Sequence, residues 1–145
     1  MKTKSNDMGR FTVDVEITNY RDIMKMEEGL LDASKVRRRV IRGVVDSGAV
    51  KMVLPAAFAK ELGLPVRKEK VKVRYADGRR ATRSEVGSVQ VRILGRDDVF
   101  SAILEPKRDT ALIGAIVLED LDFLVDCKKL CLVPREPDCV VSEIE

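Results

Sequence analysis

The sequence predicts an all-β domain with one or two short helices, and three observations carry that reading. Phe11, Val13, Val15 and Ile17 alternate with Thr12, Asp14, Glu16 and Thr18, the period-two pattern of a strand with one buried face. Asp77-Gly78 lies between two extended segments, a strong short-range hairpin signal. Short apolar runs recur between glycine, proline and aspartate turn signals, whereas a single segment carries both a helix start and a helix stop. Many short strands with frequent turns describe a β-barrel or sandwich.

The elements follow in order. Residues 11–19 form the first strand. Residues 20–34, with Met24, Met26, Leu30 and Leu31 in no clean period, read as a long connection with room for a turn of helix. A second strand runs from Lys35 to Val45 and ends in the turn Asp46-Ser47-Gly48-Ala49. Residues 50–54 are extended, and Pro55 then opens a helix through Ala56, Ala57, Phe58, Ala59 and Leu62, stopped by Gly63 and Pro65. The hairpin spans 70–75, the turn Ala76-Asp77-Gly78-Arg79, and a return strand to about Ser84. Strands at 86–94 and 98–104 are expected on either side of a turn at 95–98, then Ala111-Leu112-Ile113 before Gly114. A short helix at 115–121 and a last hairpin, Phe123–Asp126 with Leu130–Pro134, complete the chain, and the tail from Arg135 is expected to be loose.

With 145 residues, 45% of them hydrophobic and 35% charged, the chain is of a size for one domain, 1–145, with loose ends of about ten residues. No apolar run approaches the roughly 20 residues that span a bilayer, and the polar start MKTKSNDMGR feeds no apolar segment, so a cytoplasmic, soluble protein is expected. Cys127, Cys131 and Cys139 are odd in number and crowded together, a poor disulfide framework. With no histidine in the chain, a closed zinc site would have to recruit carboxylates, so neither a metal nor another cofactor is expected. The 27 basic and 24 acidic residues describe a mixed surface. The basic run Lys35, Arg37, Arg38, Arg39 and Arg42 is interrupted by Val36, Val40 and Ile41, and with aromatics at 4% it reads as a solvated strand face, not a nucleic-acid interface.

The chemistry concentrates where the apolar strand ending Val44-Val45 delivers a carboxylate, a hydroxyl and a glycine to one turn, Asp46-Ser47-Gly48-Ala49. Such residues are also ordinary turn formers, so their context decides. The Asp-Ser-Gly-Ala turn, the Leu54-Pro55 helix start with its Leu62-Gly63-Leu64-Pro65 end, the Asp77-Gly78 hairpin and Leu112-Ile113 before Gly114 occur in one order. In that order, over residues 10–134, the chain resembles the retropepsin-like aspartic proteases, and among them the small bacterial and archaeal members more than the viral enzymes.

The resemblance implies a closed, barrel-like acid-protease fold and an aspartic endopeptidase. It makes Asp46 the catalytic aspartate, Ser47 the hydroxyl that braces the two active turns across a dimer, and Gly48 and Ala49 the rest of the turn. Ala76, Asp77, Gly78 and Arg79 correspond to the flap that closes over an extended peptide substrate, although the same residues also make a plain β-turn. Leu112, Ile113 and Gly114 correspond to the apolar pair and glycine that pack beneath the turn. The viral pattern has an arginine after this glycine that helps tie the dimer, and position 115 is alanine here, so a different dimer interface is expected. Hydrolysis by this route needs one carboxylate to deprotonate water and a second, protonated one to polarise the scissile carbonyl. Two carboxylates about 3 Å apart cannot both ionise, the situation of aspartic proteases generally. One such turn per chain makes a two-fold homodimer the requirement. The alternatives are a non-catalytic dimerisation or peptide-binding module on the same fold and, behind it, a basic-faced nucleic-acid binder.

Overall fold

The computed structural model describes residues 10–145, so the expectations for the polar N-terminal segment lie outside the described residues, save at Arg10. Six strands close a barrel in the order β1 (Phe11–Asn19), β2 (Arg38–Val45), β8 (Ala111–Ile113), β3 (Met52–Pro55), β7 (Arg96–Glu105) and β6 (Glu85–Ile93), and two separate two-stranded ribbons, β4 (Val71–Arg74) with β5 (Arg80–Arg83) and β9 (Phe123–Asp126) with β10 (Cys131–Pro134), flank it. β1 (Phe11–Asn19) pairs antiparallel with β2 (Arg38–Val45), from Phe11 opposite Val45 to Thr18 opposite Arg38. β2 runs parallel to β8 (Ala111–Ile113), and β3 (Met52–Pro55) lies between β8 and β7 (Arg96–Glu105). β6 (Glu85–Ile93) joins β7 back to β1 and closes the ring.

Val15 and Ile17 of the period-two strand lie inside, whereas Phe11 and Val13 of the same face are half-buried. Val15, Ile17, Val45, Leu54, Val89, Val91, Ile93 and Ile113 are all at most 1% exposed. Burying an aliphatic side chain of this size contributes about 1.5–3 kcal/mol, so this interior outweighs any surface ion pair. α2 (Ala56–Glu61) and α3 (Ala115–Asp120) pack Ala59, Val117 and Leu118 into the same core.

Helix α2 shows how local sequence sets the joints. Pro55, expected as its first residue, stands one position earlier as the cap, and Gly63 adopts φ +63° just past the helix end. The Gly63 and Leu64 amides then reach back to the carbonyls of Lys60 and Ala59, satisfying the last turn.

Three expectations need correction. The connection after β1 holds a full helix, α1 (Tyr20–Glu27), capped by Asn19, whose side chain accepts from the Asp22 amide. It was hidden because its single buried residue is an aspartate, Asp22, so no apolar stripe announces it. The turn between β6 and β7 is Leu94-Gly95 alone, at φ +49° and +84°, and not residues 95–98. Arg96, Asp97 and Asp98 look like loop residues but lie within β7, where the Asp97 carboxylate accepts from Gln90 of the facing strand at 2.8 Å. The tail beyond β10 (Cys131–Pro134) is exposed yet tied down: the Val141 amide donates to Asp122 and the Arg96 guanidinium to the Cys139 carbonyl, both at 3.0 Å.

Candidate active site

The end of β2 brings the Asp46 carboxylate to the rim of the barrel, and β8 holds it there. Val44 and Val45 lie in register with Leu112 and Ile113, and the Asp46 amide donates to the Ile113 carbonyl at 3.0 Å. The turn then closes on itself, with the Gly48 amide donating to Asp46 Oδ1 at 3.0 Å and the Ala49 amide to the Asp46 carbonyl at 3.1 Å. Ser47 is exposed at the tip, and among the described residues its hydroxyl makes no hydrogen bond.

Gly114 is required here by space, not by its dihedral angles. A Cβ at this position would stand 2.7–2.9 Å from the backbone carbonyls of Ala49, Val50 and Lys51. The chain after the Asp46 turn is thus laid directly on Gly114, and the Ala115 and Ile116 amides donate to the Ala49 and Val50 carbonyls at 2.8 and 3.0 Å. Leu112 and Ile113 have different surroundings: Ile113 is fully buried in the core, whereas Leu112 lines the cleft.

That cleft, about 1000 Å³, runs between the Asp46 turn and the hairpin of β4 (Val71–Arg74) and β5 (Arg80–Arg83). Ala76 and Gly78 reach it from the hairpin tip together with Asp46, Gly48 and Ala49. Asp77 and Arg79 do not line it. They face each other at 2.8 Å, Asp77 also accepts from the Arg79 amide, and Arg79 lies over the Tyr75 ring. Contact with Arg79 holds the Asp77 carboxyl below its usual range. Their work is to shape the tip, with Gly78 at φ +89° completing the turn.

The hairpin is anchored to the end of β7 at two levels, from the tip turn through Tyr75 and from the root through Arg83. Tyr75 Oη donates to Glu105 at 2.6 Å and Arg83 Nε to the same carboxylate at 2.9 Å. The bond to Glu105, with burial, raises the Tyr75 phenol above its ordinary value. The tip is thus held both by its own side chains and by the barrel, since the Tyr75 that Arg79 covers is the residue bonded to Glu105.

Several cleft residues carried no signal in the local sequence. Arg10 donates to Asp46 Oδ2 at 2.9 Å, and Phe11, Thr12, Arg74, Tyr75 and Arg108 complete the lining. The one readable clue is the β1–β2 register. With Phe11 opposite Val45, the residue before β1 falls beside the residue after β2, which sets Arg10 against Asp46. The basic run 35–42 is largely spent on pairing, Arg37 with Asp22, Arg39 with Glu61 and Arg42 with Asp14.

A six-stranded barrel that presents an Asp-Ser-Gly-Ala turn at a cleft beneath a hairpin has the architecture of the acid-protease class. The family model described as "gag-polyprotein putative aspartyl protease" matches residues 33–120, more than half of the chain, and the chain belongs to that retropepsin-like family. No curated protein matches it. No helix among the described residues is long and apolar enough to cross a membrane.

Proposed function

We propose that this chain is one subunit of a homodimeric aspartic endopeptidase, with water activated between its Asp46 and Asp46 of the partner subunit. One observation carries the reading: the Asp46 carboxylate, held by the Gly48 amide of its own turn while its backbone is tied to β8, stands at the wall of a peptide-sized cleft, facing a hairpin able to cover it. The family supports peptide hydrolysis.

In this reading one carboxylate takes a proton from water while the other, protonated, donates to the scissile carbonyl oxygen. The hydroxyl adds to the carbonyl carbon, and the C–N bond then breaks as the nitrogen receives the proton. Ser47, exposed at the tip of the turn, braces the partner's turn. Ala76 and Gly78 cover an extended substrate, which pairs through its main chain as an added strand. Arg10, its side chain half exposed, leaves Asp46 when the second carboxylate arrives.

The test is peptide-library cleavage between about pH 4 and 7 by wild type and Asp46→Asn, with oligomeric state measured in the same samples. The wild-type dimer is expected to cut, and the folded, dimeric mutant to lose at least about a thousandfold in rate. A mutant that cuts like wild type sinks the assignment of Asp46. A second reading, a peptide-binding module without catalysis, is favoured by the Arg10–Asp46 pair, which gives the carboxylate a structural use within one chain. Peptide binding by both proteins with cleavage by neither is the outcome that selects it.

A further inference from the structure

Charge along the cleft is strongly unbalanced. A second cleft adjoins the first, and both are lined by Arg74, Tyr75 and Arg108 with Gly48, Ala49 and Leu112 of the active turn and its support. Several charged groups on these walls are already consumed. Arg10 is paired with Asp46, Lys51 with the buried Glu85 at 2.6 Å, and Glu105 with Tyr75 and Arg83. The cations left are Lys72, Arg74, Lys107 and Arg108, against Asp109 as the one carboxylate of the lining outside those pairs. Among the described residues, Arg74 and Arg108 have no carboxylate partner in salt-bridge contact.

Arg108 is more than a surface charge. Its Nε donates to the Thr110 carbonyl at 2.7 Å and its Nη2 to the Ala111 carbonyl at 3.4 Å, which fixes the guanidinium to the start of β8. The same strand carries Leu112 and Ile113 beneath the Asp46 turn, so the guanidinium is held at a set position relative to the catalytic carboxylate. It is half-buried, its bonds go to neutral carbonyls, and Nη1 is left to donate. Burial lowers its affinity for a proton, an effect that an arriving carboxylate would offset. A planar guanidinium suits the two oxygens of a carboxylate.

We propose that Arg108 and Arg74 form an acidic-side-chain subsite, so that the preferred substrates are peptides carrying Glu or Asp close to the scissile bond. This rests on the protease reading and adds its substrate class. In a two-fold dimer the arginine pair occurs on both sides of the cleavage point, so the preference is mirrored about it.

The experiment uses a neutral internally quenched peptide in which a single Glu, or its isostere Gln, is walked along the chain. Wild type is expected to cleave the Glu peptide about tenfold faster in kcat/KM at one position and at its mirror position. The ratio falls toward one in Arg74→Gln and in Arg108→Gln, recovers in part in Arg108→Lys, and shrinks with added salt. Among the described residues the Arg74 side chain makes no hydrogen bond or ion pair, so its variant decides the matter even where loss of the Arg108 carbonyl contacts disturbs folding. Equal rates for Glu and Gln everywhere, or a preference that survives both variants, overturn the subsite. Displacement of the Glu peptide by an oligothymidine at matched ionic strength also overturns it, in favour of a phosphate-binding cleft. Fluorescence anisotropy of the same peptides on Asp46→Asn reads the discrimination without chemistry. If wild type cuts nothing while Glu peptides still bind tighter than Gln peptides, the protease reading fails and the acidic subsite stands.

Discussion

Gly114 and Asp46 meet through the backbone between them, and this contact makes the site sensitive to a single methyl group. A Cβ at 114 would press on three carbonyls at and just after the end of the Asp46 turn, and carbonyls in a packed backbone cannot turn aside as a flexible side-chain end can. Gly114→Ala is therefore expected to cost about 1–3 kcal/mol in denaturant unfolding and, if Asp46 is catalytic as proposed, to lower kcat more than KM, because it shifts the Asp46 turn and not the 70–84 hairpin. Unchanged stability would show that the turn yields easily. Asp46 and Gly48 were legible because each serves a turn within a few residues of its own position, and Gly114 only through the order of motifs, since the carbonyls that require it belong to Ala49, Val50 and Lys51. Arg10, Arg74 and Arg108 were not, because nothing in their neighbours says that three distant stretches meet at one cleft.

Elements are joined by polar side chains that serve two neighbours at once. Asn19 caps α1 through its oxygen, while its amide donates to the carbonyls of Leu62 and Gly63 at 2.9 and 3.2 Å, locking the end of α2 to the start of α1. Asn19→Ala removes the cap and strands two carbonyls, so a loss of about 2–3 kcal/mol is expected in chemical unfolding, with peptide cleavage intact below the transition. A change under about 0.5 kcal/mol would mean that water replaces these bonds. At the hairpin, Tyr75→Phe removes the 2.6 Å bond to Glu105 while leaving Arg83 in place. Faster amide hydrogen exchange confined to 71–83 is the expected signature, because the hairpin is joined to the barrel through few such anchors. Exchange unchanged there would assign the anchoring to Arg83 alone. The helix after β1 escaped the sequence reading for the same reason that Asn19 matters: its stability comes from a cap and from the buried Asp22 bonded to Arg37, not from an apolar stripe.

Across the whole molecule, carboxylates set the response to pH in two opposing ways. The bond to Asp98, together with burial, pushes Asp120 up to about 6, while the same bond and the Val99 amide hold Asp98 below its usual value. A group whose folded-state pKa is raised stabilises the fold fully below its unfolded value, near 4, and loses that contribution as pH climbs through about 6. Asp120→Asn is therefore expected to raise Tm at pH 7–8 and to leave it nearly unchanged near pH 4; the opposite pattern would break the pairing. Asp22 and Glu85 act the other way. Arg37 lowers the first against its burial; burial is the largest single influence on the second and raises it, but Lys51, Arg67 and Ser101 together outweigh it, so both contributions hold above the usual carboxylate range and fade on acidification. If the active species is the dimer, specific activity should also rise with protein concentration until dimerisation saturates, and flat specific activity across a dilution series would argue for a site complete in one chain or for a dimer too tight to dissociate.

The sequence by itself determined the strands, the hairpin, the Pro55-to-Gly63 helix and the order of motifs that marks the family, because each depends on periodicity, turn chemistry or caps within about ten residues of chain. Only the tertiary structure decided that β1 lies beside β2 in the register that sets Arg10 against Asp46, that the tail is tied to Asp122 and Arg96, and that Arg74 and Arg108 line one cleft with the Asp46 turn. Those are contacts between residues far apart in the chain. They follow from closing six strands into one ring around a shared apolar core, a condition that no local stretch contains.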